Sequence, residues 1–408
     1  MAFVPTAPDT DPQNALRWSL QMDDPFDLPP DVLRRVPLFA ELAKVLSWSG
    51  GPVNWDLARQ VAVSSAAGED ARQRVDDADA RAFTDHVRVA EMWLAETTGI
   101  SVPGALVPVR AIMAVDWAEQ AATSFAELID PVAAKASGAI GEQLAGLAGD
   151  ESDPIRQALG RLGPMMMGIQ AGTVLGQLAR EVLGTHEIAL PVDEEAVTLI
   201  APAIDRFATE HGIDRQSVRQ WVALQAAARR MTLEGNPWVR AHFFALYHNF
   251  VATLDVTLAD GIQKLQQMDL SDPSKLQEAI GEGGLFSTES SPQTAQAAAR
   301  IARFLSVIEA HATVAVETTG ARLGAEALTL AEAFSRRAAE AGAGMRALEG
   351  FIGLEADADR PRALAFVRAV LAYGDWPLLG RIWEDAESFP SETELADPQT
   401  WIERMMPS

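Results

Sequence analysis

Cysteine is absent from the 408 residues, which excludes disulfides, thiolate zinc ligands and a thiol nucleophile together. A chain without thiols is at home in a reducing compartment, and we expect a cytoplasmic protein. Basic residues are scarce beside acidic ones, 33 against 57, for a net charge of -24. A surface of that sign repels nucleic-acid phosphates and anionic membranes, so neither is an expected partner. The segment from Met1 to Asp11 has neither the basic stretch nor the apolar stretch of a secretory signal. There is no Gly-x-Ser-x-Gly elbow and no phosphate loop. Histidine is thin as well: His86, His186, His211, His242, His248 and His311 are all there are, and no two are four residues apart. His242 and His248 stand about 240° apart around a helix and cannot hold one ion from one face. A metal site assembled from residues distant in sequence stays open.

Hydrophobic residues make up 48% of the chain, enough for a large core. The spacing of apolar positions is mostly helical, and the expected fold is mainly α, a large helical domain with at most a short β-hairpin. Residues 1–30, rich in Pro and Asp, read as a flexible tail, residues 31–160 as a helical N-terminal part, and residues 161–408 as the core. The apolar run from Leu162 to Leu178 is at the lower limit for a membrane span and carries Gln170, Thr173 and Gln177. Its Gly168, Gly172 and Gly176 share one helix face, where a missing side chain lets another backbone approach, so a central core helix is expected. Two β-branched stretches, Ile188 to Val192 and Val197 to Ala201, suit either a short hairpin or a stiff connection between helices. A helix from Val218 to Glu234 has Asp214 as its expected N-cap and Gly235 as its expected left-handed terminator. Pro237 then opens a new helix, and Ser291-Pro292 another that should end before Gly320. Ten tryptophans scatter over apolar positions, which favours core packing over a ligand groove.

The run Gly168-Ile-Gln-Ala-Gly172-Thr-Val-Leu-Gly176-Gln-Leu-Ala-Arg-Glu-Val-Leu-Gly184, followed by Trp221-Val-Ala-Leu and Asn236-Pro237-Trp238-Val239-Arg240, resembles a bacterial zincin-like family. Its members are described as zinc-dependent metalloproteases, as hydrolases, or as proteins associated with deazaflavin-cofactor biosynthesis. The C-terminal segments Gly374 to Trp383, Phe389 to Glu394 and Asp397 to Arg404 extend the resemblance, which covers roughly Gly51 to the end.

The resemblance implies a His-Glu-x-x-His helix, in which two imidazoles four residues apart bind zinc and the Glu serves as general base. Those positions hold Gln225, Ala226 and Arg229 here. A neutral amide is a weak zinc ligand, a guanidinium repels the ion, and alanine has no proton acceptor. Glu309, in Glu309-Ala310-His311, stands at the implied third ligand position. A Gln-Tyr pair that the resemblance implies is missing from Asp359-Arg360-Pro361-Arg362. We therefore expect no catalytic residues, no metal and no cofactor, the family's zinc having been lost. The expected function is that of a catalytically degenerate metallopeptidase-like protein that binds a peptide or protein partner in the former cleft or serves as a scaffold. The alternative is an active metal-dependent hydrolase with a displaced metal set, drawn from Glu309, His311 and His242. Arg229 is expected either to reach across and pair with Glu309 or to run out to solvent.

Overall fold

In the computed structural model the described residues are 50–68, 73–100, 107–145, 154–188, 190–192, 196–257, 287–289, 291–340, 342–355 and 359–406. The expected tail, 1–30, lies outside them. Fourteen α-helices dominate the described residues, which makes the fold mainly α. Within those residues no helix is long and apolar enough to cross a membrane.

Helix α1 (Trp55–Ala66) is started by Asn54, whose side chain accepts from the Leu57 N–H, and it buries Ala58, Ala62 and Ala66 on one face. That alanine face lies on α5 (Pro154–Glu181), at its three glycines. A Cβ on Gly168 would come within 2.6 Å of the Asn54 carbonyl oxygen, and one on Gly172 within 2.4 Å of the Ala58 oxygen. A Cβ on Gly176 would meet the Ala62 oxygen at 2.7 Å. The four-residue glycine spacing therefore sets a backbone-to-backbone contact inside the core. Between these two helices in sequence come α2 (Asp77–Thr98), strand β1 (Val109–Ile112), α3 (Ala114–Ser124) and α4 (Ala126–Ala145). Helix α5 is continuous across position 160. One buried cluster runs from Phe83 and Trp117 to Trp221, Phe366 and Trp401. Trp376 and Trp383 belong to it too, and Trp55, Trp93 and Trp238 pack against it. The described tryptophans serve the core.

After α5 a 3-10 turn (Thr185–Glu187) leads to strand β2 (Val197–Ile200), then α6 (Ala201–His211), α7 (Arg215–Glu234) and α8 (Pro237–Thr253). The expected hairpin is corrected here. Strand β2 pairs in parallel with β1, Val109 opposite Val197 through Ile112 opposite Ile200. The described residues of the stretch Ile188 to Val192, 188 and 190–192, form no strand: the Leu190 N–H bonds the Ile188 carbonyl and the Val192 N–H bonds the Leu190 carbonyl. All four residues of β2 are buried, and its β-branched character reflects that burial. Pro202 lies in the first turn of α6, directly after the strand ends.

Helix α7 begins as expected, with the Asp214 carboxylate accepting from the Ser217 N–H at 2.9 Å. Its end differs: Gly235 has φ -62°, an ordinary right-handed value, so the chain turns because Pro237 opens α8, not through a left-handed glycine. Strand β3 (Asp255–Thr257) pairs antiparallel with β4 (Ser287–Glu289). Helix α9 (Pro292–Gly320) is capped by Ser291 and runs to Gly320 itself. There a Cβ would sit 2.4 Å from Trp221 Cζ3, so this glycine admits the α7 indole. Helices α10 (Ala327–Ala339), α11 (Ala343–Ile352), α12 (Arg360–Gly380), α13 (Glu392–Ala396) and α14 (Pro398–Met405) complete the chain. Helices α7 and α9 pack side by side with α2 against both, and α12 covers α9. The side chains at the family's motif positions project from α7 and α9.

Candidate functional site

Residues four apart on a helix share a face, so Gln225 and Arg229 of α7 point the same way, toward α9. From α9, Glu309 meets them: Arg229 Nη2 donates to Glu309 Oε2. The carboxylate keeps only 8% of its side-chain surface exposed and the guanidinium 14%, so the pair is largely desolvated. The open question of where Arg229 goes is thereby answered: it joins α7 to α9. Ala226, one residue on from Gln225, is buried among core side chains. The position that the resemblance assigns to a general base thus holds a methyl group.

Gln225, Arg229 and Glu309 line a cavity of about 1040 Å³, shared with the C-terminal end of α5, the 3-10 turn, α10 and the start of α12. Apolar walls include Leu183, Phe207 and Phe334. A residue that sequence reasoning passed over joins them, His186 of the 3-10 turn. It is 7% exposed, and its ring lies against Gly184, where a Cβ would come within 2.8 Å of His186 Nδ1 and 2.5 Å of the Thr198 oxygen. Glycine at 184 is what lets the ring settle beside β2. Burial, followed by the cations Arg229 and Arg337 against the opposing charge of Glu187, pushes the His186 pKa down to about 3. The imidazole is neutral at pH 7. Nothing in the local text Gly184-Thr-His-Glu187 marks this histidine, because the residues that share its cavity come from α7 and α9.

Next to it, Glu187 anchors the wall. Arg337 Nε donates to Glu187 Oε1 at 2.7 Å and Arg337 Nη2 to Oε2 at 2.9 Å, a bidentate fork. The Leu183 N–H adds a bond to Oε2 at 2.6 Å. Burial alone would raise the Glu187 pKa; the Arg337 bonds and charge, His186 and the Leu183 N–H outweigh it, and the result lies below the usual carboxylate value.

Several buried polar atoms on cavity-lining residues have no protein partner among the described residues. They are both ring nitrogens of His186, Gln225 Oε1, Arg229 Nε, Glu309 Oε1 and Trp221 Nε1. Buried polar atoms ordinarily find partners, so this concentration on one cavity makes it the candidate site.

The residues proposed for a displaced metal set are not brought together. His311 is two positions from Glu309, about 200° around the helix. It is wedged edge-on between Trp376 and Trp383, with Nδ1 3.1 Å from Thr232 Oγ1, and burial lowers its pKa to about 4. His242 packs on Trp238 and Phe304. Neither lines the cavity.

A family model described as zincin-like metallopeptidase matches residues 53–402. Among solved structures, the fold is similar to a protein described as a putative hydrolase with a novel fold from Chloroflexus aurantiacus, with a TM-score of 0.62 and 21% identity over 86% of this chain and 98% of that one. A search of curated proteins finds no match. The family match corrects the expectation that this chain has no cofactor and has lost its zinc. Zinc is normal to a metallopeptidase family of this kind, and three substituted side chains do not demonstrate its loss. The motif positions as they stand nonetheless fit the ion poorly: they offer an amide oxygen and a carboxylate already bonded to a guanidinium. Among the described residues no three His, Cys, Asp or Glu side chains gather as a ligand set.

Proposed function

The chain belongs to the zincin-like metallopeptidase family, and from that premise we propose that it is a catalytically degenerate member, a binding protein whose α7–α9 cavity holds a peptide or protein segment without cleaving it. The observation that carries this reading is the pair Arg229–Glu309, with Ala226 beside it. Peptide hydrolysis requires a group that takes a proton from the attacking water. Alanine has none, and the carboxylate at hand is held by a cation. His186 is unprotonated at pH 7, but its lowered pKa makes it a weak proton acceptor for that role. The cavity and its unpartnered polar atoms support binding.

The mode of binding follows from the sheet. Extended peptides often add to a strand edge. Here β2 has β1 on one side, and Gly184 bridges Leu199 on the other, so the strand nearest the cavity has little edge to lend. Recognition therefore falls to side chains reaching into the cavity.

The test is turnover of a mixed fluorogenic peptide library by purified protein, with and without added zinc, beside equilibrium dialysis of the same peptides in uncleavable form. Binding without turnover is expected. Hydrolysis that is lost in the Glu309→Gln variant would overturn the reading.

A further inference from the structure

The Arg229–Glu309 pair is half made. One guanidinium nitrogen, Nη2, donates to one carboxylate oxygen, Oε2. The neighbouring Nε and Oε1 are buried, and neither has a partner among the described residues. An Arg–carboxylate fork commonly closes both bonds at once. Here Arg229 Nε and Glu309 Oε1 are each left unpartnered beside the bond already made, and both residues line the cavity. Covalent geometry keeps the reserve atoms close: Nε is attached to the same carbon as Nη2, and Oε1 to the same carbon as Oε2. Beside the contact the pair thus sets the Nε–H donor next to the Oε1 acceptor, and its charges cancel.

We propose that this dyad recognises a primary carboxamide, with its carbonyl oxygen accepting from Arg229 Nε and its syn N–H donating to Glu309 Oε1. The inference rests on the binding reading above and names the chemistry bound. A carboxylate ligand would supply two acceptors and set one against Glu309 Oε1. An ammonium ligand would supply only donors and set one against Arg229 Nε. A trans peptide amide carries its N–H and C=O on opposite sides, so it cannot meet both reserve atoms. A primary carboxamide has a donor and an acceptor on the same side and no charge.

The surroundings agree. The remaining unpartnered atoms on the cavity's lining are balanced between the two roles. Trp221 Nε1 donates, Gln225 Oε1 accepts, and neutral His186 has one nitrogen of each kind. Glu187, on the same lining, is held in the Arg337 fork. A donor-and-acceptor ligand without net charge is what these unpartnered atoms solvate best. The carboxamide can come from an Asn or Gln side chain of a peptide or from a free small molecule, since the group is the same.

The experiment is calorimetric titration of the full chain with four compounds of one shape: benzamide, N-methylbenzamide, benzoate and benzylamine. Benzamide is expected to bind at least about tenfold tighter than each of the others, the loss that follows from one unmade hydrogen bond. The double variant R229M/E309M, which strands no charge, should retain the native circular dichroism and lose that preference. N-acetylglutamine N-methylamide forms a further arm: its binding alongside benzamide assigns the group to a peptide side chain, and benzamide binding alone assigns it to a small molecule. Equal affinities across the four, tighter binding of benzoate or benzylamine, no binding at all, or a preference that survives in the double variant would each overturn the inference. Failure here with peptides still retained in the dialysis assay would remove the carboxamide and leave the binding reading intact, whereas peptide turnover lost in Glu309→Gln would remove the binding reading itself.

Discussion

Replacing Arg229 alone should be far more damaging than replacing both members of its pair. In the native protein Glu309 is 8% and Arg229 14% exposed at the side chain, and their contact joins two helices 80 residues apart in sequence. Arg229→Met leaves a carboxylate without its cation among apolar neighbours. Breaking a buried pair this way costs about 3 to 5 kcal/mol, and access to water through the cavity places this one near the lower figure. Glu309→Met strands the guanidinium instead. That group has a long stem and more exposure, so its cost should be nearer about 2 kcal/mol. The double variant replaces both by apolar groups of similar bulk and should lie within about 1 kcal/mol of the native protein. The coupling drawn from the cycle, the two single costs less that of the double variant, is then about 4 to 6 kcal/mol. Urea unfolding at pH 7, followed by far-ultraviolet circular dichroism for all four proteins, measures it. Costs that simply add, to within about 0.5 kcal/mol, would show that the two charges do not depend on each other, and the cross-link would be refuted.

Three further outcomes are expected. The Glu187 carboxylate has a lowered pKa in the folded state, so its contribution is present above the unfolded carboxylate value and is lost as pH falls through the folded one. Arg337→Ala should therefore cost about 2 to 4 kcal/mol at pH 7, with the difference from the native protein shrinking below about pH 4.5; a difference that does not change with pH would count against the fork. For His186, with a folded pKa of about 3, stability is complete above about pH 6.5 and falls on acidification by up to about 1.4 kcal/mol per pH unit, as the unfolded chain takes up a proton the folded one refuses. His186→Leu should flatten that acid limb in urea midpoints measured from pH 4 to 8, and an unchanged limb would mean the ring is not held neutral. Glycine positions should split by sign. Gly172→Ala puts a Cβ within 2.4 Å of the Ala58 carbonyl and should cost about 1 to 3 kcal/mol. Gly138→Ala in α4, with nothing within 4 Å, should stabilise by about 0.5 to 1 kcal/mol. Equal effects in thermal melts would remove the close-packing account of the α1–α5 contact.

Much of the architecture is written locally and can be read from the chain alone. Asp214 and Ser291 cap their helices because a short polar side chain reaches an N–H three residues on. Pro237 opens α8 because its missing N–H is not needed there. Gly168, Gly172 and Gly176 form a stripe because helical periodicity alone aligns them. The absence of a His-Glu-x-x-His helix is likewise a fact of composition and spacing. Where the reading failed, the deciding partner was remote. Val197 to Ile200 found β1, 88 positions earlier by register, in place of the adjacent Ile188 to Val192, because burial on all sides and not proximity in sequence chose the pairing. Gly235 looked like a left-handed terminator, yet the following proline turned the chain first. His186 carried no motif at all. Only the packing of the 3-10 turn against α7 and β2 stripped its ring of water and set it in the same cavity as Gln225, Arg229 and Glu309. Hydrogen bonds within a turn and side-chain periodicity act over a few residues, so they can be read in order along the chain. Desolvation, ion pairing between helices and the lining of a cavity depend on which distant surfaces meet, and that was decided by the tertiary structure alone.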